Sequence, residues 1–278
     1  MALTAEKRTE QERLLREGGM AECAAFAREV PGADREALVD RVLASGGDDA
    51  LVEFCQRVDG IDPSALAGKV GVRGKMLLCW VCGVDPESLV DAIAMEGTPE
   101  DCFDFASGLP LRLSPGAIGT LSRRIARDGS LERCFDIASY EGADMGALSR
   151  RVAEIGDPTV CRRFAQEFPD DADIGVLQRA VAESGNPYRM VEFAAEVRDA
   201  DVASAQALVE GAGDARACMA FVRAVPGADP DGLRAAVARL GGDVADFDVA
   251  AASAPGVRDA GDERWSRRPR VADRWFAM

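Results

Sequence analysis

The chain has no histidine. That removes the commonest general base and the commonest metal ligand, so neither a Ser–His or Cys–His pair nor an HExxH motif can be built. Catalysis, a metal site and a bound cofactor are accordingly not expected. Aromatic residues make up only 6%, and no run of alternating β-branched residues marks a strand. The longest apolar run, Met76 to Val84, falls far short of the about 20 residues that span a bilayer. The first residues lack the apolar core of a secretory signal, and a cytoplasmic location is expected. Basic charge is scarce: 33 Lys and Arg stand against 48 Asp and Glu, a net −15. That balance argues against a general nucleic-acid or anionic-membrane surface, though not against a local basic patch.

What the sequence has instead is a repeat. Gly18, Gly46, Gly74, Gly97, Gly129, Gly156, Gly185, Gly213 and Gly241 mark a period near 28 residues, with intervals of 23 and 32 on either side of Gly97. A fixed period of this size signals stacked supersecondary units. Eight residues before most closing glycines stands leucine (Leu38, Leu66, Leu89, Leu121, Leu148, Leu177, Leu233), and four before each stands a β-branched residue. Eight after the opening glycine stands Phe26, Phe54, Cys82, Phe105, Ile137, Phe164, Phe193 or Phe221. Such spacings share one face of a helix, so each unit reads as two short helices, A and B.

Capping residues separate the two helices. Asp34, Asp62, Asp85, Asp144, Asp173, Asp201 and Asp229 precede helix B, where a carboxylate can accept from the free N–H groups of a first turn. Thr98, Asp157 and Asn186, each followed by proline, precede helix A in the same way. The closing glycines are expected to supply a left-handed C-cap. Helices of about eleven residues are marginal alone and need their neighbours.

The eight cysteines follow the period. Cys23, Cys79, Cys102, Cys134, Cys161 and Cys218 stand five after a repeat glycine, where Leu51 and Met190 stand in other units. A slot that takes Cys, Leu and Met is a core slot, and buried thiols suit a reducing compartment. Cys79-x-x-Cys82 has no second ligand pair and falls on core positions, so it is not read as a zinc site. Residues 68–76, GKVGVRGKM, fail as a phosphate loop because Met76 stands where Ser or Thr would bind magnesium.

The organisation follows: an N-terminal capping helix (1–17), a repeat array (18–241), a C-terminal capping helix (242–256) with Val244, Phe247 and Val249, and a basic-aromatic tail (257–278), disordered or docked. Repeat three (74–97) is about five residues short, with the loss placed at the end of its helix A or in the A–B loop. Repeat four carries about four extra residues around Leu109 to Pro115.

With its A-helix, Pro-Gly-Ala-Asp, B-helix units over 18–241, the chain resembles the α-solenoid superfamily of HEAT, armadillo and related short-repeat proteins. Segments such as GDPTVCRRFA and SGNPYRMVEFAA also resemble bacterial leucine-rich-repeat variants. The resemblance implies an all-α, right-handed α-solenoid of about eight two-helix repeats, with helix B lining a concave face. It implies a binding scaffold and carries over no site.

Three surfaces attract attention. Arg123, Arg124, Arg127, Arg150, Arg151 and Arg179 form a basic ridge on helix B of repeats four to six. Arginine forks suit carboxylates or phosphates; the plainer reading is pairing with acidic neighbours on a solvated face. Trp80, Phe103 and Phe135, each six after a repeat glycine, either pack between A helices or form a shallow apolar patch. In the tail, Trp265, Arg267, Arg268, Arg270 and Trp275 interleave aromatic and basic side chains. The expected function is a non-enzymatic scaffold that grips a protein partner through the ridge. The alternatives are a helical-repeat nucleic-acid binder and an assembly subunit whose tail docks on a neighbouring copy.

Overall fold

The computed structural model describes residues 3–108 and 113–253. Among them are sixteen α-helices, two 3-10 turns and no strand. The chain divides into two compact units, Met1–Arg124 and Ile125–Met278, with the boundary inside one helix.

The first unit holds α1 (Ala5–Glu17), α2 (Met20–Glu29), α3 (Arg35–Arg57), a 3-10 turn (Pro63–Leu66) and α4 (Val72–Cys82). A second 3-10 turn (Pro86–Leu89) runs into α5 (Val90–Glu96), followed by α6 (Pro99–Gly108) and most of α7 (Pro115–Asp128). α3 is two helices in one: Gly47, at φ 67°, breaks it between a B arm and the following A arm. The second unit continues with α8 (Leu131–Ala138), α9 (Met145–Ile155), α10 (Pro158–Glu167), α11 (Ile174–Glu183) and α12 (Pro187–Glu196). It closes with α13 (Val202–Gly211), α14 (Ala215–Ala224), α15 (Pro230–Arg239) and α16 (Val244–Ala252). Here each A helix packs on the B helix that follows it, and A helices α10, α12, α14 and α16 pack successively on one another.

The sequence explains each boundary. All seven predicted aspartates cap their helix B turns, accepting from backbone N–H groups two or three residues ahead. Each such cap contributes about 1 kcal/mol. The left-handed glycines of the Pro-Gly-Ala-Asp turns, Gly32 at φ 87° and Gly227 at φ 81°, let the chain reverse between A and B.

Counted from the helix A cap, two positions make the core. Four residues on stand Cys23, Leu51, Lys75, Cys102, Cys134, Cys161, Met190, Cys218 and Phe247; seven on stand Phe26, Phe54, Leu78, Phe105, Ile137, Phe164, Phe193, Phe221 and Ala250. All are buried. Burying one large apolar side chain contributes about 1.5–3 kcal/mol. In three repeats the cysteine adds a weak hydrogen bond: Sγ of Cys102, Cys161 and Cys218 points to the carbonyls of Ile93, Val152 and Val209 at 3.8–4.0 Å.

Polar side chains tie successive repeats together through the main chain. Gln178 Nε2 donates to the Asp201 carbonyl, and the Asp201 N–H donates back to Gln178 Oε1, both at 2.8 Å. Gln206 makes the same pair with Asp229. Ser149 Oγ accepts from the Asp173 N–H at 3.0 Å, and Gln11 Oε1 from the Asp34 N–H at 3.0 Å. Each of these side chains lies on one helix B (or on α1) and reaches the cap of the next. α1 therefore occupies a helix B register, with Leu14 in the β-branched slot.

Several expectations change. Gly18, Gly97 and Gly156 end their helices in extended, not left-handed, backbone. Glycine is required there by space: a Cβ on Gly156 would stand 2.5 Å from the Val152 carbonyl oxygen. Gly74 is not a terminator at all. It lies inside α4, where a Cβ would meet Val70 at 2.6 Å and Asp48 at 2.7 Å. Gly71 is the α4 cap, so the register shifts by four: Lys75 and Leu78, not Cys79 and Cys82, fill the two core slots. The missing residues come from the preceding helix B, reduced to the single turn Pro63–Leu66 ahead of Gly68 and Gly71, whereas α4 is a full eleven-residue helix. The extra residues of repeat four include an added first turn on α7: its Ser114 cap stands seven residues before Leu121, against four from Asp144 to Leu148. Val249 does not join Phe247 in the core of α16; it is 71% exposed.

Candidate functional site

The predicted arginines divide by environment. Arg123 and Arg124 lie on the first unit, and Arg127, Arg150, Arg151 and Arg179 on the second. Arg124 and Arg151 are half-buried, and their Nε atoms donate to the carbonyls of Gly97 and Gly129 at 3.2 Å. Arg41, in a repeat never assigned to the ridge, does the same to Gly18 at 3.1 Å. The arginine three after the repeat leucine is thus a tie to the glycine that opens its own repeat. Arg123 donates to Thr120 Oγ1 at 3.1 Å, and Arg127 pairs with adjacent Asp128 at 3.2 Å.

Arg150 and Arg179 differ. They stand at matching positions on α9 and α11, which pack together, and both are exposed. Among the described residues neither makes a hydrogen bond or ion pair. Each follows a first-turn glycine by four residues, in Gly146-Ala-Leu-Ser-Arg150 and Gly175-Val-Leu-Gln-Arg179. A Cβ on either glycine would meet nothing closer than 3.6 Å, so packing does not demand glycine there. Residue i+4 lies one turn above residue i; the Arg150 Nη1 lies 3.6 Å from that Cβ position on Gly146, whereas no Arg179 side-chain atom comes within 4 Å of the one on Gly175. The pattern Gly-x-Leu-Ser/Gln-Arg also occurs at Gly119–Arg123 and was readable in the sequence, but grouping arginines by charge alone hid it. In the first repeat the same two positions hold Glu36 and Asp40, bridged by Lys69 at 3.6 and 2.7 Å.

The helix A layer of the second unit is more closely paired. Arg162 reaches Glu192 and Glu196 at 3.7 and 2.8 Å, Gln166 reaches Glu196 at 2.8 Å, and Arg189 pairs with Glu192 at 2.8 Å. Phe135 packs edge-on against Phe164, with ring centroids 5.0 Å apart, and Arg163 lies over the Phe135 ring. Of the proposed aromatic patch, Phe135 therefore packs within the layer. Trp80, 39% exposed, does not share its position once α4 is re-registered. The tail residues Trp265, Arg267, Arg268, Arg270 and Trp275 lie outside the described residues.

All eight cysteines are free thiols. Burial pushes Cys55, Cys79, Cys102, Cys134 and Cys161 up to about 11, which keeps them protonated at neutral pH. Among the described residues no three Cys, Asp or Glu side chains gather as a metal would require, and no helix is long and apolar enough to cross a membrane. No family model, curated protein or solved structure matches the chain.

Proposed function

We propose that the chain is a right-handed α-solenoid of two-helix repeats, related in architecture to HEAT-like arrays, that works as a non-catalytic cytoplasmic scaffold. Its helix B face on the second unit grips an acidic, extended segment of a partner protein. One observation carries the reading: Arg150 and Arg179 repeat at matching positions, exposed and unpaired among the described residues, each four residues after a glycine that packing does not require. Exposed glycine in a helix costs up to about 1 kcal/mol relative to alanine. Retaining it twice, four residues before an unpaired arginine, fits a surface that a partner's backbone approaches closely. The Arg fork then takes partner carboxylates in pairs. Arg151 and Arg124, tied to glycine carbonyls, position the helices rather than touch the partner.

The test is cross-linking of the full-length chain to its partners in native lysate, with identification of the linked residues by mass spectrometry. Wild type is compared with Arg150→Glu/Arg179→Glu and with Arg151→Glu. A partner linked near α9 and α11, and lost in the double variant, supports the reading. Unchanged linkage in the double variant overturns it. Recovery that disappears with nuclease transfers the surface to nucleic acid, and a steep salt dependence would accompany it.

A further inference from the structure

We propose that the groove between α14 and α16 is a second docking site, for an acidic peptide segment that carries a large apolar side chain beside its carboxylates. The groove has a volume of about 380 Å³ and is lined by Arg216, Met219, Ala220, Arg223, Asp246 and Val249. It lies in the helix A layer, apart from Arg150 and Arg179 on helix B.

The repeat itself supplies the comparison. Between α10 and α12 the A–A groove is closed: Arg162, five after its cap, reaches Glu192 and Glu196, which stand six and ten after theirs, while Gln166, nine after its cap, holds Glu196 at 2.8 Å. Between α8 and α10 the five and six positions hold Phe135 and Arg163, stacked at 4.8 Å. At α14 and α16 the same four positions hold Met219, Arg223, Val249 and Ser253. The bridging cation has become a methionine and its carboxylate a valine that is 71% exposed. The carboxylate of Glu196 is replaced by a hydroxyl that turns back to the carbonyls of Val249 and Ala250. Arg223 consequently makes no hydrogen bond or ion pair among the described residues.

Charge and shape then specify the occupant. Arg216 and Arg223 are two turns apart on α14, roughly 10 Å along the axis. Neither forms an ion pair; Asp246 is the acidic residue lining the groove, and the charge of Arg216 is also felt by Asp214 at the α14 cap. The rim thus favours carboxylates, while Met219, Ala220 and Val249 offer an apolar floor. A partner segment with acidic residues flanking a leucine or phenylalanine would supply from outside the carboxylate that α12 gives to Arg162 of α10, together with an apolar cover for the floor. Helix-in-groove and extended-peptide recognition both use such anchors.

The experiment is fluorescence anisotropy of the full-length chain with a short fluorescein-labelled peptide of glutamate with leucine at every fourth position. The expected result is saturable binding, weakened at least about tenfold by Arg223→Glu, by Val249→Asp and by serine in place of the peptide leucines. Arg150→Glu/Arg179→Glu should leave it unchanged, which separates this groove from the helix B face. Circular dichroism melting at the wild-type midpoint shows that the variants fold. The proposal is overturned by absence of saturable binding, by insensitivity to the leucine change, or by loss in the Arg150→Glu/Arg179→Glu variant alone. It is also overturned if Val249→Asp abolishes concentration-dependent self-association on a sizing column, because the occupant is then a second copy.

Discussion

Gln178 holds Asp201 by both polar groups of its backbone, giving a hydrogen bond to the carbonyl and taking one from the N–H, each at 2.8 Å. The amide is buried, and it lies twenty-three residues from its target. Gln178→Ala therefore strands the Asp201 N–H and removes one of the two bonds on its carbonyl, which still accepts from the Ala205 N–H. Urea unfolding should show a loss of about 1–3 kcal/mol, and Gln206→Ala should behave alike. A loss below about 0.5 kcal/mol at both sites would mean that the clamps contribute nothing.

Apart from the left-handed glycines, those required by space and those that packing does not require are separated by one substitution. Gly156→Ala drives a Cβ to 2.5 Å from a backbone oxygen and should destabilise by more than about 1 kcal/mol. Gly175→Ala meets only the Asp173 side chain at 3.6 Å and should stabilise by up to about 1 kcal/mol through helix propensity. The same Gly175→Ala change should weaken partner binding at Arg179. Thermal melts of both variants, run beside the cross-linking experiment, decide the matter.

Lys75 is a cation in a slot that elsewhere takes cysteine, leucine, methionine or phenylalanine. It is 5% exposed, with Nζ held 2.6 Å from Glu96 and 3.1 Å from the Val70 carbonyl. Methionine already occupies this slot at Met190, so Lys75→Met should leave stability unchanged or raise it by up to about 2 kcal/mol. Glu96→Gln should lower it, because the ammonium stays buried without its counter-charge. Denaturant midpoints that rank the two variants in the opposite order would show that the ion pair outweighs its desolvation.

Acid should loosen the second unit through its caps. The Val160 N–H, aided by Thr159, holds Asp157 below the ordinary aspartate value, and the Ser204 hydroxyl and N–H do so for Asp201. A depressed folded value means stability that is fully present above the unfolded value of 3.8 and is lost as pH falls below it toward the folded one. Melting midpoints followed from about pH 6 to pH 3 should drop in the lower part of that range. Asp157→Asn/Asp201→Asn retains the caps without the titration, so its profile should be flatter there. Parallel profiles would place the acid sensitivity elsewhere.

Helix boundaries were the most legible feature of the sequence, because Asp34 through Asp229 announce them with side chains whose only local use is capping. The core slots followed wherever Gly marked the junction. They failed at Gly74, since a glycine demanded by close packing against Val70 and Asp48 has the same letter as one that ends a helix. The arginine surface was legible as charge but not as function. Arg151 and Arg150 are neighbours in sequence, yet the step of about 100° between them around the helix sends one to a glycine carbonyl and leaves the other in solvent. The groove at Met219 and Val249 was missed because it is defined by what two repeats lack relative to their neighbours.

The inter-repeat clamps end on main chain rather than on side chains. Gln178, Gln206 and Gln11 recognise a peptide group that every capping aspartate, and any other residue but proline, would present identically. The junction code is therefore blind to the identity of the unit that follows. A repeat can be duplicated, exchanged or allowed to drift at its surface while the joint is preserved. That arrangement leaves positions such as Asp40, Arg150, Arg179 and Ala207, one per unit at the same register, free to diversify without retuning the framework.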